Sequence, residues 1–352
     1  ALLLESKGRT KMLSFECDYN NGASPKVLEK LIETNMEYVP GYGEDKFTSS
    51  AVEKIKAAIG RDDIDVELIV GGTQTNQLII STVLKPFEGV ISASTGHINT
   101  HEAGAIEYSG HKVLTIKEKN GKIDSKDLES YRDAYHRDGN KDAIVYPGMV
   151  YISHPTENGT LYSKKELEKL RGICDCYSIP LFLDGARLAY GLESPSTDVT
   201  LRDIADLCDI FYIGGTKCGA LCGEAVVFSG KRRPEHFYAM KKQHGALLAK
   251  GRLLGVQFDA LFTDGYYFQL GRNAMEKAER LKSILSSKGY RFYMESPTNQ
   301  QYVVVDNEKM KKLSEKVRFG FWELVDKDHT AIRFCTSWST TDKDLDELEK
   351  IL

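Results

Sequence analysis

The chain has 352 residues, of which 41% are hydrophobic and 28% charged, and its net charge is −4. This length allows a large core and two domains, and the composition is that of a globular protein. The weakly acidic balance excludes the electrostatic signature of nucleic-acid or anionic-membrane binding, and no apolar run reaches the length of a membrane span.

The seven cysteines are spread along the chain without a C-x-x-C pair. A chain of this length does not need disulfides, so we expect reduced thiols, no zinc site and a cytoplasmic protein. The first four residues lack the basic lead-in of a secretory signal, and Met12 fits a natural start. The sequence leaves open whether residues 1–11 are native.

The N-terminal part predicts two helices around a rigid turn. The first begins at Ser24-Pro25, a serine N-cap followed by proline, and the second runs from about Ser50 to Gly60. The turn at residues 40–45 carries Tyr42 at its tip. The first helix has an apolar stripe made of Val27, Leu28, Leu31, Ile32 and Met36.

From Val66 the pattern becomes an alternation of strands and helices. A strand at residues 66–70 is followed by the loop G-G-T-Q-T-N and a helix predicted from Gln77 to Leu84. A strand, two glycines, a hydroxyl and a helix start form a phosphate cradle, with Gly72 and Thr73 as its central residues. An ordinary tight turn between a strand and a helix remains the alternative.

A further strand at residues 89–93 leads to a predicted helix that starts at His97. This helix would place His97, His101 and Gly104 on one face. Two histidines four residues apart can bind a metal, but no third ligand is placed nearby and Glu102 is expected to point elsewhere. We therefore predict no metal site.

The middle of the chain continues this alternation. We predict a strand at residues 112–116, a helix at 125–132, a solvated loop to Lys141, and a strand at 143–153 that Pro147-Gly148 interrupts. After the loop at residues 154–160, Ser163 and Glu166 form a capping box for the next helix.

Two strand ends carry the strongest chemical signals. The apolar strand at residues 180–184 ends in Asp184, at the edge where open α/β sheets bind ligands. A second strand, at residues 209–213, runs into Gly214-Gly215 and then Lys217. An amine at the mouth of a sheet can form a Schiff base with a carbonyl cofactor, and a surface lysine in a glycine-rich loop is the alternative.

The last third of the chain changes character. Residues 231–252 are basic and predicted to be a helical, solvated face. Beyond Asp259, helices at 272–285 and 342–352 flank strands at 302–305 and 332–335. This pattern indicates a smaller α+β domain.

Taken together, these residues match what a pyridoxal 5′-phosphate site requires. Lys217 supplies the amine, Asp184 an acid that keeps the pyridine nitrogen protonated, Gly72 and Thr73 an anion cradle, and His97 a ring for stacking. The ordered series is a much stronger signal than any one of its members.

With these motifs in hand, the chain resembles the threonine aldolase / β-eliminating lyase family of fold-type I enzymes, from Asp18 to about Thr340. The resemblance implies an α/β, aspartate aminotransferase-like fold with a mostly parallel seven-stranded sheet and a small C-terminal α+β domain. It also implies an N-terminal segment at residues 12–45, a large domain at 46–255 and a small domain at 256–352. The matching stretches are residues 42–45, 72–76, 97–104, 184–187, 214–219 and 332–334.

The resemblance further implies the roles of the cofactor site. Lys217 would carry pyridoxal phosphate as a Schiff base, Asp184 would contact the pyridine nitrogen, and His97 would stack on the ring. Thr216 would lie near the phosphate, and Arg187 near a cofactor oxygen or the substrate carboxylate.

Substrate and assembly roles also follow from the resemblance. Arg333 would bind the α-carboxylate of an amino acid, a bidentate task suited to guanidinium. Family members form homodimers or homotetramers with sites at subunit interfaces. Arg252 would then reach a neighbour's phosphate and Tyr42 a neighbour's substrate.

The implied activity is threonine aldolase-type cleavage of a β-hydroxy-α-amino acid to glycine and an aldehyde. β-Elimination with Lys217 as the α-proton base, and aminotransfer, are the alternatives. One departure concerns the loop after the middle strand, where the family usually has a histidine: here His154, Thr156 or Glu157 falls at that position. The substrate side chain and stereochemistry therefore stay open.

Two other classes fit less well. A non-catalytic binding protein on this fold predicts a lost lysine or aspartate, and both are present. A dinucleotide-binding protein predicts G-x-G-x-x-G, and G-G-T-Q-T-N lacks the third glycine.

Overall fold

The computed structural model describes residues 12–230 and 232–352. The expectations for residues 1–11, and for Lys231 at the start of the basic stretch, lie outside the described residues. Within the described ranges, no helix combines the length and hydrophobicity of a membrane span.

The described chain contains twelve strands. They are β1 (Leu13–Phe15), β2 (Ile64–Ile69), β3 (Glu88–Ala93), β4 (Val113–Ile116), β5 (Tyr146–Ser153), β6 (Leu181–Asp184), β7 (Ile210–Gly214), β8 (Glu224–Ser229), β9 (Arg291–Met294), β10 (Gln300–Asp306), β11 (Val317–Leu324) and β12 (His329–Cys335).

Fourteen α-helices connect them. They are α1 (Pro25–Thr34), α2 (Lys46–Ile59), α3 (Gly72–Val83), α4 (His97–Thr100), α5 (Ala105–Tyr108), α6 (Ser125–Arg137), α7 (Lys164–Cys176), α8 (Leu188–Leu192), α9 (Leu201–Leu207), α10 (Phe237–Gln243), α11 (Arg252–Phe262), α12 (Tyr266–Ser287), α13 (Asn307–Ser314) and α14 (Asp342–Ile351).

The large sheet has seven strands in the order β2-β8-β7-β6-β5-β3-β4. Only β8 runs against its neighbours; the remaining pairs are parallel. Its central strands β5, β6 and β7 are buried on both faces, as parallel strands covered by helices must be. The expected mostly parallel seven-stranded sheet is confirmed.

A second sheet of five strands has the order β1-β11-β12-β10-β9. The N-terminal strand β1 pairs in parallel with β11, so the start of the described chain is built into the C-terminal sheet. Its core contains Leu281, Val303, Ile332 and Leu345. The predicted boundary after residue 255 falls inside α11.

Two predicted boundaries in the large sheet are wrong. Helix α3 begins at Gly72 rather than Gln77, because the G-T-Q-T-N run continues the helix instead of forming a loop. Strand β5 runs through Pro147 without a break, although Gly148 is an extra residue at which its register with β3 shifts. Strand β6 begins to pair with β5 only at Val150, so the N–H that proline lacks is not needed on that side.

The basic stretch is also not the solvated helix that its composition suggests. Its helical residues among those described are 237–243 and Arg252, which begins α11, and Lys241 and Arg233 both form ion pairs with Glu67 on β2, at 2.9 and 2.7 Å. The predicted loop before Lys141 is mostly helix α6, in which Arg132 is fully buried with its guanidinium 4.5 Å from the Tyr177 ring centroid.

Candidate active site

The topology brings five chemical groups to one edge of the large sheet. Strands β3, β5, β6 and β7 are parallel, and β2 shares their direction because β8 is antiparallel to both β2 and β7. Their carboxyl ends therefore lie at the same edge. The residues that end or follow these strands are Gly72, His97, Glu157, Asp184 and Lys217.

These groups line a cavity of about 310 Å³, here called the inner cavity. Seven residues singled out from the sequence line it together: Gly72, Thr73, His97, Asp184, Arg187, Thr216 and Lys217. A cavity of about 520 Å³, the outer cavity, adjoins it and is lined by Arg333. Five residues line both cavities, namely Tyr19, His97, Glu157, Arg187 and Lys217.

Two predicted site residues lie elsewhere in this chain. Tyr42 has a left-handed backbone (φ 60°) and lies under the Lys242 ammonium, 4.6 Å from the ring centroid. Arg252 donates from Nη1 to the Glu37 carbonyl at 2.7 Å. Neither lines the inner or the outer cavity.

Lys217 lies in the tight turn between β7 and β8 and reaches both cavities. Burial lowers the pKa of its amine below the ordinary lysine value, and the positive Arg187 lowers it further, against the opposing effect of Asp18 and Asp184. A lysine in these surroundings is more readily deprotonated and therefore more nucleophilic.

The Asp184 carboxylate is almost fully buried and fixed by hydrogen bonds. Its Oδ2 accepts from the Tyr151 hydroxyl at 2.5 Å and from Asn76 Nδ2 at 3.3 Å, and Oδ1 accepts from the Ala186 N–H at 2.9 Å. Burial acts to raise the pKa of Asp184, yet the His97 ring and these donors lower it overall. These contacts favour the ionised form of Asp184, which can pair with a positively charged group.

His97 is oriented by a residue that the sequence interpretation set aside. Glu102 was expected to point away, but its Oε1 lies 3.0 Å from His97 Nδ1 and also accepts from Asn76 Nδ2 at 2.8 Å. The predicted helix breaks at His101, and the His101 ring stacks on His97 at 5.7 Å between centroids. Among the described residues, no cluster of three or more potential ligands is arranged for a metal.

The start of α3 and the turn after β7 line the inner cavity where the sequence predicts an anion cradle. The first N–H groups of a helix have no partner within the helix, and here they belong to Gly72 and Thr73. A Cβ on Gly72 would come within 3.2 Å of the Tyr212 hydroxyl, so a side chain there would crowd the cavity wall.

Glu224 lies in the same part of the cavity, and the sequence interpretation missed it. Its carboxyl accepts from the Gly215 N–H at 3.0 Å and from the Thr216 hydroxyl at 2.8 Å. Burial raises the pKa of Glu224 to about 8. Glu224 is the first residue of an apolar strand, and nothing in the surrounding sequence marks it as a site residue.

Arg187 is clamped by Asp18, a second residue that the sequence interpretation did not assign to the site. Asp18 accepts from Arg187 Nε at 2.7 Å and Nη2 at 3.0 Å, and from Asn299 Nδ2 at 2.9 Å. Burial alone would raise the pKa of Asp18, but Arg187 lowers it to about 2. The pair is ionised throughout the neutral range.

Arg333 on β12 faces the outer cavity. Its Nη1 donates to Gln300 Oε1 at 2.9 Å and its Nη2 to the Glu16 carbonyl at 3.1 Å, both uncharged acceptors. Within the part of the chain that the structure describes, no carboxylate lies at ion-pair distance from Arg333. The same cavity is also lined by Phe321 and Trp322 on the neighbouring strand β11.

The loop after β5 places its three candidate residues differently. His154 is fully buried, its Nδ1 accepts from the Tyr162 N–H at 3.2 Å, and burial lowers its pKa to about 4. Thr156 is buried against Thr160, with 2.7 Å between the hydroxyls. Of the three, only Glu157 lines the inner and outer cavities.

The chain is similar in sequence and in structure to known proteins. The family described as Beta-eliminating lyase matches residues 17–308. A low-specificity L-threonine aldolase from a Pseudomonas species is 27% identical over 342 residues, covering 95% of each chain.

Two solved structures extend the comparison. A threonine aldolase from Leishmania major is 41% identical, with a TM-score of 0.92 over 96% of this chain and 98% of that one. An aspartate aminotransferase from Thermus thermophilus shares the fold at 14% identity, with a TM-score of 0.66 over 97% of this chain and 92% of that one.

Proposed function

Because the chain belongs to the threonine aldolase / β-eliminating lyase family, we propose that it is a lyase that cleaves β-hydroxy-α-amino acids such as threonine to glycine and an aldehyde. The observation that carries this proposal is the pair of adjoining cavities: Lys217 lines both, the buried Asp184 carboxylate lines the inner one, and the Arg333 guanidinium lines the outer one. The names of the Pseudomonas and Leishmania relatives support the same activity.

We propose pyridoxal 5′-phosphate as the cofactor, and the donor set of the inner cavity fits it. The Lys217 amine would hold its aldehyde carbon, the Asp184 carboxylate its ring nitrogen with the proton retained, and the start of α3 with Thr216 its phosphate. His97 would lie against the ring. When bound, the cofactor supplies an electron sink for the pair of the bond broken at Cα.

The chain's own residues would orient the substrate for this cleavage. Arg333 would bind the α-carboxylate, because its charge has only neutral partners among the described residues. Arg187, already paired with Asp18, would stay fixed beside a cofactor oxygen or the same carboxylate. Holding the carboxylate would orient the bonds at Cα and so decide which of them is broken.

A β-elimination is the second candidate, favoured by the burial that lowers the pKa of the Lys217 amine. A neutral lysine at the junction of the cavities could remove the α-proton and release a β-substituent. Aminotransfer is the third candidate, and it would also begin with removal of the α-proton.

Subunit assembly and location are part of the proposal. Leu28, Ile32 and Met36 form a stripe on and just beyond α1 that is 41, 75 and 82% exposed, which supports a homodimer or homotetramer. Tyr42 and Arg252 would then serve a neighbour's site. All seven cysteines are free, which supports a cytoplasmic protein.

We propose that the chain is divided into two domains, each built around one of the two sheets. Residues 46–255 would form the large cofactor-binding domain and residues 256–352 the small one. The segment at residues 12–45 would serve both, since β1 joins the second sheet while Tyr19 lines both cavities and Asp18 pairs with Arg187.

The test is a visible absorption spectrum of the purified protein and of a Lys217→Ala variant, with an acetaldehyde assay on L-threonine. We expect a cofactor band in the wild type that the variant lacks, and acetaldehyde from the wild type alone. A band without acetaldehyde would direct the assay to substrates with good β-leaving groups. No band after addition of pyridoxal phosphate would refute the cofactor and the function.

A further inference from the structure

Glu157 occupies the point where the two cavities meet. Of the five residues that line both, Arg187 is paired with Asp18, His97 is paired with Glu102, and Lys217 is assigned to the cofactor. Tyr19, the remaining aromatic, lies over the Lys217 amine at 5.9 Å from its ring centroid. Glu157 is thus the acid–base group at this junction that no other part of the proposed mechanism uses.

The Glu157 carboxylate is fixed through one of its two oxygens. Its Oε1 accepts from the backbone N–H of His97 at 2.9 Å and from the Ser153 hydroxyl at 2.7 Å. Among the described residues, Oε2 takes part in no hydrogen bond, and no cation lies at ion-pair distance from the group. One oxygen is fixed and the other remains able to accept a proton.

The surroundings also make Glu157 a stronger base than an ordinary glutamate. Burial raises the pKa of Glu157, and the Asp184 carboxylate raises it further against the hydrogen bond from Ser153 and the charge of His97. A base is most effective when its pKa lies close to the working pH. Besides Glu157 and His97, the outer cavity is lined by the charged or titratable side chains of His101, Glu118, Arg187, Lys217, Glu323 and Arg333.

Resting on the proposed aldolase function, we infer that Glu157 is the base that removes the proton from the substrate β-hydroxyl. The carboxylate takes the O–H proton, and the O–H electron pair becomes the second C–O bond of the aldehyde. The Cα–Cβ bond breaks and its pair stays with Cα, where an added proton completes glycine. One proton leaves oxygen and one arrives at carbon, so the step needs no oxidant or reductant.

The other two residues of the loop are excluded from this role by position. His154 accepts a backbone hydrogen bond inside the core and lines neither cavity. Thr156 is buried against Thr160. Glu157 alone brings a proton acceptor from this loop into the cavities.

The experiment compares Glu157→Gln and Glu157→Asp with the wild type. Glu295→Gln is the control, since Glu295 is an exposed carboxylate that lines neither the inner nor the outer cavity. For each protein, the cofactor dissociation constant, the glycine dissociation constant, the melting temperature and the pH profile of aldehyde release from threonine are measured. Glycine has no β-hydroxyl, so its binding does not require the base.

We expect Glu157→Gln to lower kcat for threonine by about 100-fold or more and to remove the acidic limb of the pH profile. Glycine binding, cofactor affinity and melting temperature should stay at wild-type values, and Glu157→Asp should recover part of the rate. The control should behave as the wild type.

Two results would overturn the inference while the aldolase function stands. One is a Glu157→Gln rate within about threefold of the wild type. The other is a loss of glycine or cofactor binding that accounts for the whole rate loss, which would make Glu157 a structural residue. A wild-type protein that binds glycine but releases no aldehyde would instead refute the proposed function itself, and the inference with it.

Discussion

The buried pair of Asp18 and Arg187 offers a quantitative test of the site's electrostatics. In Asp18→Asn, an NH₂ group replaces one of two oxygens that accept only from donors on Arg187 and Asn299. The shape is kept, but the Arg187 charge loses its partner where its side chain is only 13% exposed. We therefore expect a folded but destabilised protein with impaired substrate turnover.

Two independent estimates give the loss of unfolding free energy expected for Asp18→Asn. The pKa of Asp18 falls from 3.8 to about 2. At about 1.4 kcal/mol per pKa unit, this fall corresponds to about 2.5 kcal/mol of stability. Removing one partner of a buried ion pair costs about 3–5 kcal/mol. A loss of about 3 kcal/mol is consistent with both.

The sign of the pH dependence is fixed by the lowered pKa. An acid whose folded pKa is lowered stabilises the protein fully above its unfolded value and loses that contribution as pH falls through the folded value. The difference between wild type and Asp18→Asn should therefore be constant from pH 5 to 8 and shrink as pH falls from about 4 toward 2.

Urea unfolding followed by tryptophan fluorescence measures this difference. The control is Asp328→Asn, since Asp328 pairs with Lys327 on the surface, where the side chains are 67 and 90% exposed, and should cost no more than about 1 kcal/mol. Equal shifts in the two variants, or a difference that changes strongly between pH 5 and 8, would refute the reasoning.

Three further predictions concern stability. Asp45→Ala should cost about 1–2 kcal/mol in urea unfolding, because Asp45 accepts from the first N–H groups of α2, whereas Ser24→Ala at the start of α1 should cost little, since Ser24 forms no side-chain cap bond. Gly172→Ala should raise stability by about 0.5–1 kcal/mol, because a Cβ on this exposed position of α7 meets nothing within 4 Å. With a folded pKa raised to about 8, Glu224 should make the wild type lose stability as pH rises from 5 to 8, by at most about 1.4 kcal/mol per pH unit, and Glu224→Gln should flatten that slope.

The chain order of strands and helices was largely predictable because its signals are local. Strand ends at Asp184 and before Gly214 are marked by apolar runs followed by glycine, and the large parallel sheet follows from their alternation with helices. The start of α3 was not predictable, because G-T-Q-T-N has the composition of a loop and only its place at the sheet edge makes it helical.

The site residues that could not be predicted from the sequence are those whose role depends on a side-chain contact made in the folded chain. Asp18 meets Arg187 across 169 positions of sequence, and Glu102 turns toward His97 because the predicted helix breaks between them. Glu224 resembles any polar residue that starts a strand until its neighbours Gly215 and Thr216 are seen. Side-chain pairing of this kind depends on tertiary contacts and carries no periodic signal.

The loop that bears Glu157 connects the two sheets, which explains why its carboxylate can be placed accurately. From the second sheet, the Tyr302 hydroxyl donates to the Glu157 carbonyl at 2.9 Å. From the large sheet, Ser153 and the His97 N–H fix one carboxylate oxygen. Because the backbone is held from one side and the side chain from the other, this residue keeps its position only while the two sheets keep theirs. The same two sheets supply Lys217 and Arg333, so contacts that fix the loop also fix the distance between the groups proposed to hold cofactor and substrate.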